Sequence, residues 1–194
     1  MACDLSSEAF DLTEPAYDTP PSFRDADERR LQMRAYHHWA SLLRGRPLPS
    51  PADLNLARLD GLAPNAVLVT LGRGRRGRRL RFVGGRLRGE AGVPAGDVPL
   101  GKVPAGTVLA RLTERVDDVV ARRAPVRLEA EFVSARGRET LCRGVLMPLS
   151  SDGDTIDALF GVINWKEIAA PALVSQLAAE IAQALGHSAP PTHL

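Results

Sequence analysis

The chain has 194 residues, 44% of them apolar and 25% charged, a balance that supports one globular domain with an ordinary core. Its net charge of +2 hides an asymmetry, since residues 1–28 carry eight acids and one base (−7) and residues 29–194 carry 24 bases and 15 acids (+9). No apolar run reaches the roughly 18 residues of a membrane span, no basic-then-apolar start marks a secretory signal, and two cysteines, Cys3 and Cys142, build neither a disulfide framework nor a four-cysteine metal site, so a reducing cytoplasm is expected.

Residues 1–24 read as a disordered acidic tail: five acids, Pro15, Pro20 and Pro21 stand among few large apolar side chains, too few to offset the entropy of ordering. Asp25 and Glu28 have capping-box spacing, and Leu31, Ala35, Trp39 and Leu42 recur at i, i+4, i+8 and i+11. That pattern predicts a helix over 25–46, closed by Gly45 and Pro47. An extended, proline-rich stretch follows from Pro47 to Pro64, and then two strands, Ala66–Leu71 and Leu80–Val83. From Gly84 to Gly106 glycine and proline leave room only for short helical turns. Val108, Leu112, Val116 and Val119 or Val120 form a helical stripe that should lie on a sheet and stop at Pro125. Val126, Leu128, Ala130 and Phe132 then alternate with Arg127, Glu129, Glu131 and Val133, the period of a strand with one wet face. Strands Thr140–Leu149 and Thr155–Trp165, separated by Ser151–Asp154, complete a three-strand meander. Leu173, Leu177, Ile181 and Leu185 predict an amphipathic helix over 168–186, narrow enough in its stripe to bind another helix, before a disordered tail at 187–194.

The expected fold is α+β: residues 47–167 form a five-stranded antiparallel sheet covered by helices on one face, with flanking N- and C-terminal helices. This order resembles the PAS fold. Three stretches sharpen the resemblance: WASLLRGRPLPSPADLN from Trp39, RLRFVGGRLRGEAG from Arg79, and MPLSSDGDTIDALFGVINW from Met147. Over roughly residues 36–166 the chain is similar to small single-PAS proteins common in proteobacteria. The resemblance implies a sensory or regulatory module in which a cavity between sheet and helices holds a small molecule and flanking helices mediate homodimerisation or contact with a protein partner. No effector domain is expected, because too few residues remain to hold one. The chain departs from the PAS pattern in its arginine-rich insertion between the first two strands and in its glycine- and proline-rich segment where pocket helices normally lie. The candidates for lining a ligand site are the inward positions Phe82, Leu128, Ala130, Phe132, Met147 and Phe160; a core simply filled by these side chains is the competing reading. Trp165, at the end of the last strand, is the candidate for coupling a pocket change to the C-terminal helix.

Other motifs have plainer explanations. Gly72-Arg73-Gly74-Arg75-Arg76-Gly77 matches G-x-G-x-x-G, yet a strand rather than a helix follows, so the helix N-terminus that holds a pyrophosphate is missing. The same loop places six arginines in nine residues, and polyanion or nucleic-acid binding through Arg75, Arg76, Arg78 and Arg79 is the alternative function. A solvated hairpin that blunts a sheet edge, or a dock for the acidic tail, accounts for the same charges. His37 and His38 point about 100° apart on a helix, His187 and His193 lie near the C-terminus, and no metal site is predicted. Cys142 reads as a small buried residue, Ser150-Ser151-Asp152-Gly153 as a turn, and Asp117-Asp118 beside Arg122 and Arg123 as surface ion pairs. With no nucleophile, base and orienting group that can be named together, neither catalysis nor a cofactor is expected.

Overall fold

The computed structural model describes residues 23–59, 61–168 and 183. The expected acidic tail, apart from Phe23 and Arg24, lies outside the described residues. So do the C-terminal helix expected over 168–186, apart from Ile168 and Gln183, and the tail after it.

The chain is α+β. Its elements in order are α1 (Phe23–Ser41), β1 (Ala66–Leu71), β2 (Arg78–Val83), α2 (Gly85–Ala91), β3 (Val98–Pro99), α3 (Val108–Thr113), α4 (Val116–Arg122), β4 (Val126–Val133), β5 (Glu139–Leu149) and β6 (Ala158–Glu167). The strands form one antiparallel sheet in the order β3-β2-β1-β6-β5-β4. It has six strands rather than five. The sixth, β3, pairs only Pro99 with Arg79 and Val98 with Leu80, too short for any period, and its proline sits at a sheet edge where a missing N–H costs nothing.

Leu128, Cys142, Leu146, Leu159, Ile163, Val67, Val69 and Leu80 pack beneath α2, α3 and α4. Val145, Met147, Leu149, Phe160 and Val162 pack on the opposite face against Ala35 and Trp39 of α1 and Leu42 just after it. The flanking N-terminal helix therefore closes the second face. β5 is buried without interruption from Gly144 to Leu149, and β6 from Ala158 to Ile163, which only a sheet covered on both sides permits. Trp39 anchors α1, being 6% exposed and donating its Nε1–H to the Pro148 carbonyl across 2.8 Å.

Local chemistry explains where the expected boundaries shift. α1 stops at Ser41 instead of 46, and Arg44 and Gly45 follow with φ of 47° and 79°. Pro47–Pro64 is not extended: it winds through 3-10 turns at Pro51–Asp53, Leu56–Arg58 and Ala63–Asn65, two of them capped by Ser50 and Asn55 side chains. The single helix expected from Val108 breaks into α3 and α4 at Glu114 and Arg115, yet Val108, Leu112, Val116 and Val119 are all at most 1% exposed, as one stripe. β6 starts at Ala158 rather than Thr155 because Asp152 Oδ1 gathers the N–H groups of Asp154 and Thr155 and the Ser150 hydroxyl into a polar turn.

Gly84 fixes where α2 begins. A β-carbon there would stand 2.2 Å from the Ala63 carbonyl oxygen and 2.3 Å from that of Pro64, both backbone atoms with nowhere to retreat. Gly84→Ala is expected to destabilise the fold by about 3 kcal/mol in urea unfolding; a change within experimental error would show that this crossing is loose.

Candidate functional site

The six proposed lining residues do not share a cavity. Leu128, Ala130 and Phe132 face the helices α2–α4, whereas Phe82, Met147 and Phe160 face α1. For Met147 and Phe160, which pair directly, the reason is alternation: the helix-facing parity on these strands belongs to Cys142 and Leu146 and to Leu159, Ile163 and Trp165. For Phe82 the reason is a β-bulge. Val69 pairs with Leu80 and Leu68 with Phe82, so Arg81 is extra, and the strand's parity inverts beyond it.

On the helix side, a cavity of about 170 Å³ opens at the rim of the sheet. Its walls are the end of α2 (Glu90 to Gly92), Pro104 and Thr107 before α3, the tip of the β4–β5 hairpin (Ser134 to Arg136), Thr140, and Trp165 and Glu167 of β6. Glu90 is its central polar group. The carboxylate accepts the Val108 N–H on Oε1 at 2.9 Å, while Oε2 is buried without a hydrogen-bond partner. Burial pushes the Glu90 carboxyl above its ordinary 4.5, against the backbone hydrogen bonds that favour its charge. Arg136 reaches over from the hairpin, but it donates to the carbonyls of Gly89 (3.1 Å) and Glu90 (3.4 Å), the C-terminal end of α2, not to the carboxylate.

Trp165 forms a wall of this cavity, packs on the helix-side core, and lies 4.9 Å from the Arg86 guanidinium of α2. Arg86 also reaches Asn65 Oδ1 at 3.4 Å, and Asn65, 3% exposed, donates to the Ile163 carbonyl at 2.8 Å. The cavity wall, α2 and β6 are thereby one connected unit.

Glu90, Arg136 and Thr107 were not among the sequence candidates. The available signal was that Glu90 is the only acid between Asp60 and Asp97, in a stretch with eight arginines and just before a helix-ending glycine.

Gly72 and Gly77 close the β1–β2 hairpin: the Gly72 N–H donates to the Gly77 carbonyl, and β2 follows at once. Of the four polyanion candidates, Arg78 pairs with Asp117 at 2.5 Å and Arg79 with Asp97 at 2.7 Å, Arg81 joining it at 2.9 Å. Arg76 is exposed, and the Arg75 side chain lies outside the described residues. His37 is exposed, while the His38 ring stands edge-on to Phe160, and among the described residues no three His, Cys, Asp or Glu side chains gather as metal ligands. No described helix is long and apolar enough to cross a membrane.

Cys142 is 1% exposed, and burial pushes its thiol up to about 11. In a Cys3→Ser background it is expected to resist iodoacetamide at mildly alkaline pH until denaturant is added, read by intact mass; rapid labelling of the folded chain would contradict this burial. Because the folded Glu90 carboxyl titrates above its unfolded value, its ionisation disfavours the fold as pH rises through the folded value. Glu90→Gln is thus expected to raise urea stability at neutral pH, and the gain should vanish below 4.5, where both side chains are neutral. A gain independent of pH would refute this origin.

The family model for the PAS domain matches residues 28–164. Among solved structures the chain is similar to the PAS domain of BvgS from Bordetella pertussis, with 17% identity over 62% of this chain and 88% of that one and a TM-score of 0.35. It is also similar to a LOV protein of Rhodobacter sphaeroides (12%, 66% and 77%, TM-score 0.39) and to the PAS domain of an HTR-like protein from Haloarcula marismortui (16%, 58% and 96%, TM-score 0.31). No curated protein matches. With a family model covering more than half of its length, a six-stranded antiparallel sheet and helices over its inner face, the chain belongs to the PAS domain family.

Proposed function

We propose that this chain is a sensory or regulatory module of the cytoplasm that carries out no catalytic step. It acts through a homodimer or a partner protein and takes a small molecule as its input. The observation that carries the reading is the position of Trp165: it is at once a wall of the rim cavity, a stacking partner of α2 through Arg86, and nearly the last residue of β6 before the chain leaves the sheet. A change in the cavity is then felt directly by the last residues of β6. The ion pairs of Arg78 and Arg79 weigh against the polyanion alternative, because a phosphate would have to displace Asp117 and Asp97.

Light scattering on the full chain at high micromolar concentration is expected to give the mass of a dimer. Trp165→Ala should shift the monomer–dimer equilibrium while far-ultraviolet circular dichroism stays unchanged. A monomer at every concentration, together with no protein retained from the native host by the tagged chain, would overturn the proposal.

A further inference from the structure

We infer that β4 is the surface through which two copies of this chain join, pairing edge to edge about Glu129 so that their two sheets run on as one. The inference rests on the reading above for the existence of a homodimer, and it names the surface which that reading leaves open.

The sheet ends in β3 on one side and β4 on the other. β3 pairs through only Val98 and Pro99, too little for a ladder. β4 runs from Val126 to Val133 in unbroken register with β5, without an internal proline, and among the described residues no strand pairs with its other side. Such an edge is a template for a further strand. The Ser134 N–H donates to the Arg138 carbonyl at 2.8 Å at the start of the β4–β5 ladder, and pairing alternates along an antiparallel strand. Even-numbered residues of β4 therefore face β5. Arg127, Glu129, Glu131 and Val133 turn their N–H and C=O groups outward.

Side chains select the register. With the two-fold axis at Glu129, Arg127 of each copy stands opposite Glu131 of the other, so opposite charges meet twice. Val133, 63% exposed, meets Pro125, whose missing N–H falls where the ladder ends. Glu129 meets its own copy, yet each is held by its Arg143 at 2.7 Å, which gives a central row of alternating base, two acids and base. Moving the axis to Leu128 sets Glu131 against Pro125 and leaves Val133 uncovered. Moving it to Ala130 sets Glu129 against Glu131 twice, a repulsive arrangement. The edge is also tied to the rim cavity: the hairpin tip that follows β4 is one of its walls, and Ala130, Cys142 and the wall residue Trp165 stand in one row across β4, β5 and β6.

The test uses sedimentation velocity on the full chain, with far-ultraviolet circular dichroism to check that each variant is folded. Arg127→Glu and Glu131→Arg are each expected to weaken the dimer at least about tenfold. The double variant restores both ion pairs in reverse and is expected to regain the original affinity. In a Cys3→Ser background, Glu129→Cys is expected to form an intermolecular disulfide on mild oxidation, because the axis sets the two thiols face to face. Val133→Cys, which the axis places at opposite ends of the ladder, is expected to form none, and Cys142 is buried and takes no part. A double variant no tighter than the single ones, or equal crosslinking at the two positions, overturns the edge. A dimer unmoved by every one of these variants overturns this surface and leaves the regulatory reading standing, as does a monomer that still retains a protein from the native host. A dimer that obeys the charge exchange but ignores Trp165→Ala keeps the edge and refutes its coupling to the cavity.

Discussion

A sheet whose central strands are apolar on both faces cannot stand with one face in water. That constraint governs this molecule. β5 and β6 present Leu146, Leu159 and Ile163 to one side and Met147, Phe160 and Val162 to the other, so each face needs a cover. Three short helices supply one. α1 supplies the other, and its tie to the sheet is specific, since the buried Trp39 N–H finds its acceptor at Pro148. At roughly 1 kcal/mol net such a bond is modest. Its greater effect is to set the rotation and depth of α1, because any other seating strands a buried polar group at higher cost.

Much of this was legible in the sequence where physics is local. β1 is Ala66–Leu71 and β4 is Val126–Val133, as read, because a β-branched run and a strict alternation each have one solution. The stripe from Val108 to Val119 is buried as expected, although it is shared by two helices. Three features were hidden for a common reason: they depend on partners distant in sequence. β3 is a strand only because β2 lies beside it. The face of Phe82 depends on the pairing with Leu68. The role of Glu90 depends on Val108, eighteen residues away, offering its N–H. Local periodicity contains none of these.

The same separation explains why the apolar candidates scattered while a polar site assembled. Alternation sets the face of an aromatic or aliphatic side chain in a strand, and a single slip in parity sends it to the other face. The rim cavity is built instead from element ends: the last turn of α2, the approach to α3, a hairpin tip and the final residues of β6. Backbone groups left unpaired at such ends attract side chains such as Glu90 and Arg136. A half-buried carboxylate with one oxygen buried and without a hydrogen bond lowers stability.

The bulge at Arg81 divides the β1–β2 arm into two regions with different tolerance for change in length. At the glycine–arginine tip, added or missing codons alter only a solvated loop. Between Leu80 and Phe82, the loss of the Arg81 codon would straighten the strand and leave Phe82 opposite Leu68 on the α1 side, whereas an added codon would enlarge the bulge inside the paired strand. Lineages descending from this sequence are therefore free to lengthen or trim the tip, while the segment behind it tolerates the loss of its one unpaired residue and little else.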